Sequence, residues 1–505
     1  MPGESFAGER GRWTGRRRAS VACCILAVGL VVSACSGGTH KTSASPTTPS
    51  AQPRPAGPAA ALRELTGGKG VSLGSPVTVS LKGTGYVEDE YAASGTATSY
   101  KAQGAFTQDG RWTFQPADTA AYRTRVVVRR PAAAKDFSGT VVVEWLNVSS
   151  GVDSDVEWWN THEELMRNGD IWVGVSAQRI GVMGGPALTP SAAGSVTKGL
   201  KGSDPARYGS LNQPGDGYSF DIFTQVARAV RAGGVATGGT KPQRLLAAGQ
   251  SQSAYAMVTY INGVQPLTHT FDGFLVHSRG RGFLPLVAPG QAANIGGNTT
   301  QTAIIRTDTD VPVMDVQTEG DLTGVLDSVV ARQPDSNGFR LWEVAGGSHA
   351  DTHAVGPYAR FLGCKVPVNN APTHIVVKAA LHALVAWVRT GTPPPTAPRI
   401  AVTTGASPQV VRDADGIVKG GIRTPPVAVP VDVLSGDPGP NPSSICILFG
   451  STKPLPAARL AALYPSRDDY LQHYTTATNN TITAGFALAA DRAALLAYAQ
   501  PARIL

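Results

Sequence analysis

The sequence predicts an α/β fold, a mostly parallel sheet with helices on both faces, and three observations carry that expectation. Apolar runs rich in β-branched residues alternate with stretches of helical period from residue 125 onward. One such run, Leu245-Leu246-Ala247-Ala248-Gly249, leads straight into Gln250-Ser251-Gln252-Ser253-Ala254-Tyr255, an outline of strand, tight turn and helix. Two later runs end in loops that carry carboxylates and a histidine. Continuous rather than alternating apolar runs mark strands covered on both faces, and sites in such sheets lie at the carboxyl ends of the strands.

Taken in order, Val77 to Tyr122 is rich in Thr, Gly, Tyr and Val with short alternations such as Tyr100-Lys101-Ala102-Gln103-Gly104, which predicts a small antiparallel element ahead of the main sheet. Strands follow at 125–129 and 140–145, a helix at 156–168 and a strand at 171–175. The 218–232 stretch places Phe220, Phe223, Val226 and Val230 at helical spacings and leads to the strand ending at Gly249. Further strands are expected at 273–276, 311–316 and 340–344. A helix over 376–389 stops at Gly391, with prolines after it. Helical patterns at 457–463 and 484–499 should pack back on the core. Three long Gly-, Pro-, Ser- or Thr-rich segments, 179–216, 279–310 and 392–443, stand outside these elements; the first two begin at the carboxyl ends of strands, where a site in such a sheet lies, and are expected to form the lid.

The first 34 residues read as an export signal. Arg16-Arg17-Arg18 is cationic, Val21 to Val32 is apolar but shorter than the about 20 residues a bilayer span needs, and Val32-Ser33-Ala34-Cys35 has the form of a lipobox. Cys35 would then carry the lipid, with residues 35–62 as a disordered Ser/Thr/Pro/Ala tether, 63–121 as the β-rich extension and 122–505 as the catalytic domain. The protein would sit on the outer face of the cell membrane. Five of the 44 basic and two of the 36 acidic residues lie in the signal, so the formal charge of +8 falls to +5 in the remainder. No basic cluster with interleaved aromatics recurs, which argues against nucleic acid as a partner. Cys23 and Cys24 also lie in the signal, leaving Cys364 and Cys446 as a possible disulfide between the body and the C-terminal segment.

The G-x-S-x-S turn suits a nucleophile, because a sharp strand-to-helix turn exposes the Ser251 hydroxyl and tolerates only small neighbours such as Gly249 and Ser253. An acyl-transfer serine needs a base and an acid, here expected in the order serine, acid, histidine. Gln317-Thr318-Glu319-Gly320-Asp321 follows one strand and Ala345-Gly346-Gly347-Ser348-His349 the next. His349 is therefore the expected base, and spacing alone leaves Glu319 and Asp321 open as the acid. Backbone N–H groups of Gln252, and of Leu146 or Asn147 after the 140–145 strand, are expected to meet the oxyanion. Ser253 would sit inside the helix and lose the turn geometry. His349 and His353 stand four apart like metal ligands, but no H-E-x-x-H is present and Gly346-Gly347 argue for a loop, so no metal is expected. His162, His277, His374 and His382 read as structural, although His277 with Arg279 could line the pocket. No phosphate loop, dinucleotide fingerprint or repeat appears, so no cofactor is implied.

Beyond these motifs, Gly85-Tyr86-Val87-Glu88-Asp89-Glu90-Tyr91, Val143-Glu144-Trp145-Leu146-Asn147-Val148, Val175-Ser176-Ala177-Gln178, Asp204-Pro205-Ala206-Arg207-Tyr208-Gly209, Gly249 to Ser253 and the Glu319 and His349 loops are similar to the α/β-hydrolase-domain proteins of bacteria. The resemblance covers nearly all of the expected exported part. It implies hydrolase chemistry at the serine of the G-x-S-x-S stretch, favours Glu319 over Asp321 as the acid, and names no substrate. A small-molecule or lipid-like ester is the expected substrate. An amidase, a peptidase or a surface-binding lipoprotein on the same scaffold are the alternatives.

Overall fold

The computed structural model describes residues 55–75, 79–191, 194–295, 301–443 and 445–505. The export signal, Cys35 and most of the expected tether lie outside the described residues. Pro49–Leu505 forms a compact unit.

Nine strands make one sheet: β1 (Ala61–Glu64), β2 (Tyr86–Ala102), β3 (Phe114–Pro131), β4 (Thr140–Trp145), β5 (Ile171–Val175), β6 (Arg244–Gln250), β7 (Gly273–His277), β8 (Val313–Thr318) and β9 (Phe339–Val344). Their order is β1-β2-β3-β5-β4-β6-β7-β8-β9. Pairing is parallel from β5 through β9 and antiparallel from β1 to β5. Strands β4 to β8 are almost wholly buried, as continuous apolar runs require. Helices α1 (Val156–Asn168) and α4 (Thr373–Thr390) cover one face, over Val142, Leu246, Leu275, Met314 and Trp342. Helices α2 (Ser219–Ala232) and α3 (Gln252–Thr259) cover the other, over Val143, Ala247 and Phe274. At the end of β4, buried Glu144 accepts the N–H groups of Glu157 (2.9 Å) and Trp158 (3.0 Å) and the Trp172 indole (2.8 Å), which caps α1 against the sheet.

The structure differs from the sequence reading at four places. The N-terminal element does not precede the main sheet; it continues it, because β3 runs on past residue 121 and pairs with β5 from Val126↔Val175 to Arg129↔Trp172. The tether boundary drawn at 62 falls inside β1, where Leu62 pairs with Ala93. The 311–316 strand starts two residues later, at Val313. Near the C-terminus, α5 runs over Arg467–Thr483, where the sequence predicts no helix, and 484–499 is helical only in part, as a 3-10 turn at Ala489–Asp491 running into a short α-helix at Arg492–Leu496. Its buried stripe is Tyr470, Tyr474, Thr478 and Thr481, so threonines disguise the apolar period. The Ser466 hydroxyl accepting the Asp469 N–H, with Asp468 and Asp469 in the first turn, is the start signal that marks it.

Candidate active site

Strand β6 ends in a turn whose central residue, Ser251, has φ 60° and ψ −118°. A non-glycine residue held there costs about 1–3 kcal/mol, which the surrounding packing must offset. Two contacts hold it: the Ser251 N–H donates to the His277 carbonyl at the end of β7 (2.9 Å), and Gly249 lets α3 approach so closely that a Cβ there would stand 2.8 Å from the Ser253 carbonyl oxygen. Ser253 itself is fully buried, and its hydroxyl has no partner among the described residues.

The loop after β9 brings His349 to the serine. His349 Nε2 lies 2.8 Å from Ser251 Oγ, and His349 Nδ1 lies 2.7 Å from Asp321 Oδ1. Asp321 sits in the turn after β8, in a capping box with Thr318; its Oδ2 accepts the Thr318 N–H (2.7 Å) and hydroxyl (2.9 Å) and the Ser278 hydroxyl (2.7 Å). Burial pushes the Asp321 pKa up, but the hydrogen bond and charge of His349 and these donors outweigh it, leaving the carboxyl below its usual range.

Glu319, which the family resemblance favoured as the acid, is not at the histidine. Its Oε2 accepts the Gly346 N–H (3.0 Å), and its Oε1 accepts the Gly436 N–H (3.0 Å), the Ser435 hydroxyl (3.1 Å) and the Arg412 guanidinium. It thus clamps the His349 loop to the C-terminal segment. The turn after β8 starts at Glu319, so the side chain two residues further on faces the opposite wall; spacing could not separate the two, and the capping pair Thr318 and Asp321 could have.

The expected oxyanion donors are also redistributed. The Leu146 N–H donates to the Val175 carbonyl (3.2 Å) and the Asn147 N–H to the Ser154 carbonyl (3.0 Å), so both are engaged. The Gln252 N–H, at the start of α3, has no partner among the described residues, and the Val148 N–H makes only a long 3.4 Å contact with Gln252 Oε1. Asn147 contributes through its side chain, which donates to the Gln250 carbonyl (3.0 Å) and ties this loop to the turn.

These groups open into a cavity of about 770 Å³. Its wall is drawn from distant parts of the chain: Ser75, Trp159, Tyr255, Val325, Leu448 and Phe449 among others. The two expected lid segments contribute Leu188, Arg281 and Ile295, but the turn at 324–327 and the stretch 445–449 take a larger share than the sequence suggested. Cys364 and Cys446 are disulfide-bonded, with Cα atoms 5.6 Å apart, which pins that last stretch in place. His277 lines the cavity; its Nδ1 lies 3.1 Å from Glu157 Oε1. Burial works against its charged form, but Glu157, Asp321 and Asp351 together leave its pKa raised. Arg279 does not line the cavity: it is buried on Asp315 (2.7 Å) and the carbonyls of Ala303 and Ala331. His353 is stacked on His374 at 3.7 Å, with its Nε2 3.3 Å from the Trp159 carbonyl, away from His349.

A parallel sheet with a serine on a strained strand-to-helix turn, and a carboxylate and a histidine on later strand ends, defines the α/β-hydrolase class. The chain belongs to the family described as alpha/beta hydrolase domain, which matches residues 50–497, and it has that fold. No curated protein sequence matches it. Among solved structures it is similar to an α/β serine hydrolase without a lid from Xanthomonas campestris (13% identity, TM-score 0.25, 50% of this chain and 83% of that one). It is also similar to a putative dienelactone hydrolase from Klebsiella pneumoniae subsp. pneumoniae (12%, 0.28, 60% and 98%) and to fungal esterases from Rhizomucor miehei (12%, 0.30, 58% and 84%). None of these likenesses bears on the substrate.

Proposed function

We propose that the protein is a serine carboxylic-ester hydrolase working through an acyl-enzyme at Ser251. The observation that carries this reading is the unbroken line from Ser251 Oγ to His349 to Asp321, ending in an open cavity. Ser251 Oγ attacks the ester carbonyl carbon while His349 Nε2 takes its proton, and Asp321 holds the imidazolium and its tautomer. The tetrahedral oxygen is met by the Gln252 N–H at the head of α3 and by the Val148 N–H, which exchanges its long contact for the oxyanion. The C–O bond then breaks and His349 returns its proton to the departing alkoxide. Water, deprotonated by His349, attacks the acyl carbon and frees Ser251. An ester suits this site better than an amide because an alkoxide leaves with less proton assistance than an amine.

The reaction is placed outside the cell, with the body held to the membrane by a lipid on Cys35. The Arg16-Arg17-Arg18 cluster, the apolar Val21–Val32 run and Val32-Ser33-Ala34-Cys35 support this, as does a disulfide in the body, which suits an oxidising compartment.

The test is hydrolysis of a chain-length series of p-nitrophenyl esters by Pro49–Leu505, beside Ser251→Ala with its folding checked by circular dichroism. Turnover that disappears in the variant is the expected result. Absence of turnover on every ester, with no fluorophosphonate labelling of Ser251, would overturn the esterase reading in favour of a surface-binding protein.

A further inference from the structure

We propose that the cavity mouth is a docking surface for an anionic lipid bilayer, from which the enzyme takes water-insoluble ester substrates; the substrate class rests on the esterase reading above, the docking does not. The described residues expose ten large hydrophobic side chains, and six of them belong to the cavity wall or to segments that adjoin it. Leu188 (49% exposed), Val325 (48%) and Ile447 (37%) line the cavity while facing solvent. Three more lie on segments that adjoin cavity-lining ones. Val196 (67%) lies on the strand of the small hairpin that pairs with the one bearing Leu188. Tyr358 (54%) and Phe361 (70%) lie in the Gly356–Phe361 turn, which continues directly from the cavity-lining residues Ala354 and Val355. Phe361 also stands three residues before Cys364, whose partner Cys446 is flanked by the cavity-lining Ile445 and Ile447. A collar of exposed apolar groups around one cavity marks an interaction surface, whereas single exposed side chains do not.

Charge selects the occupant. From Thr352 to Val368 the collar carries exposed Arg360 and Lys365 and no Asp or Glu. Aromatic side chains beside basic ones suit the boundary between acyl chains and acidic headgroups, where the rings insert and the cations stay with the phosphates. Arg360 already lies over the Phe361 ring at 4.6 Å, so the pair can enter the interface together. The chain outside the structure permits the same orientation. Between Cys35 and Pro55, where the described body begins, there are 19 residues, which at full extension reach at most about 60–70 Å. A body anchored there can turn its cavity mouth onto the membrane that holds it. Docking places an apolar, membrane-embedded ester at the mouth, so that its path to Ser251 never crosses water.

The experiment is co-sedimentation of Pro49–Leu505, which carries no lipid, with vesicles of phosphatidylcholine alone or mixed with phosphatidylglycerol. Binding to the mixed vesicles, weaker binding to phosphatidylcholine alone, and a loss of roughly tenfold or more in Tyr358→Ser/Phe361→Ser are expected, since two aromatic side chains lose their buried area. Arg360→Gln/Lys365→Gln should abolish the difference between the two vesicle types. Hydrolysis of soluble p-nitrophenyl acetate should be unchanged in both variants, because none of the four residues lines the cavity. Leu471→Ser, an exposed apolar residue on α5 outside the collar, should bind as the parent does. The docking proposal is overturned if neither vesicle sediments the protein, if Leu471→Ser loses as much binding as the double variant, or if the collar proves to join two copies in a dimer that Phe361→Ser dissolves. Vesicle binding without turnover of any ester would remove the substrate class and leave the surface standing.

Discussion

The carboxyl ends of β6, β8 and β9 and the cavity wall above them are built on opposite plans. At the strand ends, three side chains from three short loops meet in a line, with His349 2.8 Å from Ser251 and 2.7 Å from Asp321, each held by the strand beneath it and by bonds within its turn or to the neighbouring strand end. The wall is assembled from segments as far apart as Gly74 and Phe449 and is held by long-range ties: the Glu319 clamp, the disulfide and the buried network around Arg125. Chemistry here is local and shape is distributed. Damage to the first should appear in kcat with folding intact, and damage to the second in stability and in the handling of large substrates.

The sharpest test of that division uses two carboxylates two residues apart. Asp321→Asn keeps the shape but disturbs the histidine tautomer, and a loss of up to about 10⁴-fold in kcat with little change in Tm is expected. Glu319→Gln should do the reverse. It leaves Arg412 without its ion pair and loosens the Gly346 and Gly436 anchors, so a destabilisation of about 1–3 kcal/mol with a modest fall in kcat should follow in thermal melts and ester assays. If Glu319→Gln lost as much kcat as Asp321→Asn at unchanged Tm, the two regions would not be separable.

Next in size is the antiparallel side. Arg125 on β3 is fully buried, 2.7 Å from Asp153 and 3.3 Å from Glu90, and donates to the Ser72 carbonyl (2.8 Å), just ahead of the cavity-lining Gly74 and Ser75. Arg125→Met leaves the buried Asp153 without its cation and Glu90 with Arg207 alone, and should cost about 3–5 kcal/mol in denaturant unfolding. Surviving enzyme should show a raised KM more than a lowered kcat. Reduction of Cys364–Cys446, or Cys364→Ser/Cys446→Ser, comes below it: about 2–4 kcal/mol, with the loss of turnover concentrated in long-chain esters that fill the 445–449 side of the cavity.

The same division explains what the sequence revealed. Strands β4, β5, β6 and β9 and helix α1 were legible because their apolar runs are dictated by burial on both faces or by one stripe, and Ser251 and His349 because each follows such a run directly. The choice between Glu319 and Asp321 was not, since a turn decides which of two neighbouring carboxylates faces inward, and that depends on the Thr318 cap and on Arg412, 93 residues away. Glu90, Arg207, Tyr208, Glu144 and Gln178 stood within the stretches that carry the family resemblance, with no role readable from their surroundings. The structure gives them one: Glu90 receives Arg125, Arg207 and Tyr208, and Gln178 receives the Trp145 indole (2.9 Å) and the Gln252 side chain (2.7 Å). Long-range polar partners leave no periodic trace in a sequence, whereas strands do.

The smallest effect expected lies where the two regions touch. Asp351 caps the turn after the His349 loop, lines the cavity and is buried, and its pKa is raised to about 6, chiefly by burial, against the Ala354 N–H and other donors that lower it. A carboxyl raised in the folded state binds its proton more tightly there than in the unfolded chain, so its contribution to stability falls as pH rises between about 4 and 6. Asp351→Asn keeps a capping oxygen and removes the buried charge. Above pH 7 the variant should be more stable than the parent, by no more than the about 3 kcal/mol that a shift of this size represents, and the difference should vanish below pH 4. Asp321 runs the other way: its pKa is lowered, so the stability it adds is lost as pH falls through its folded value. A parent stability curve parallel to that of Asp351→Asn at every pH would mean that the charge at 351 is solvated through the cavity, and that the wall admits water to the catalytic loop.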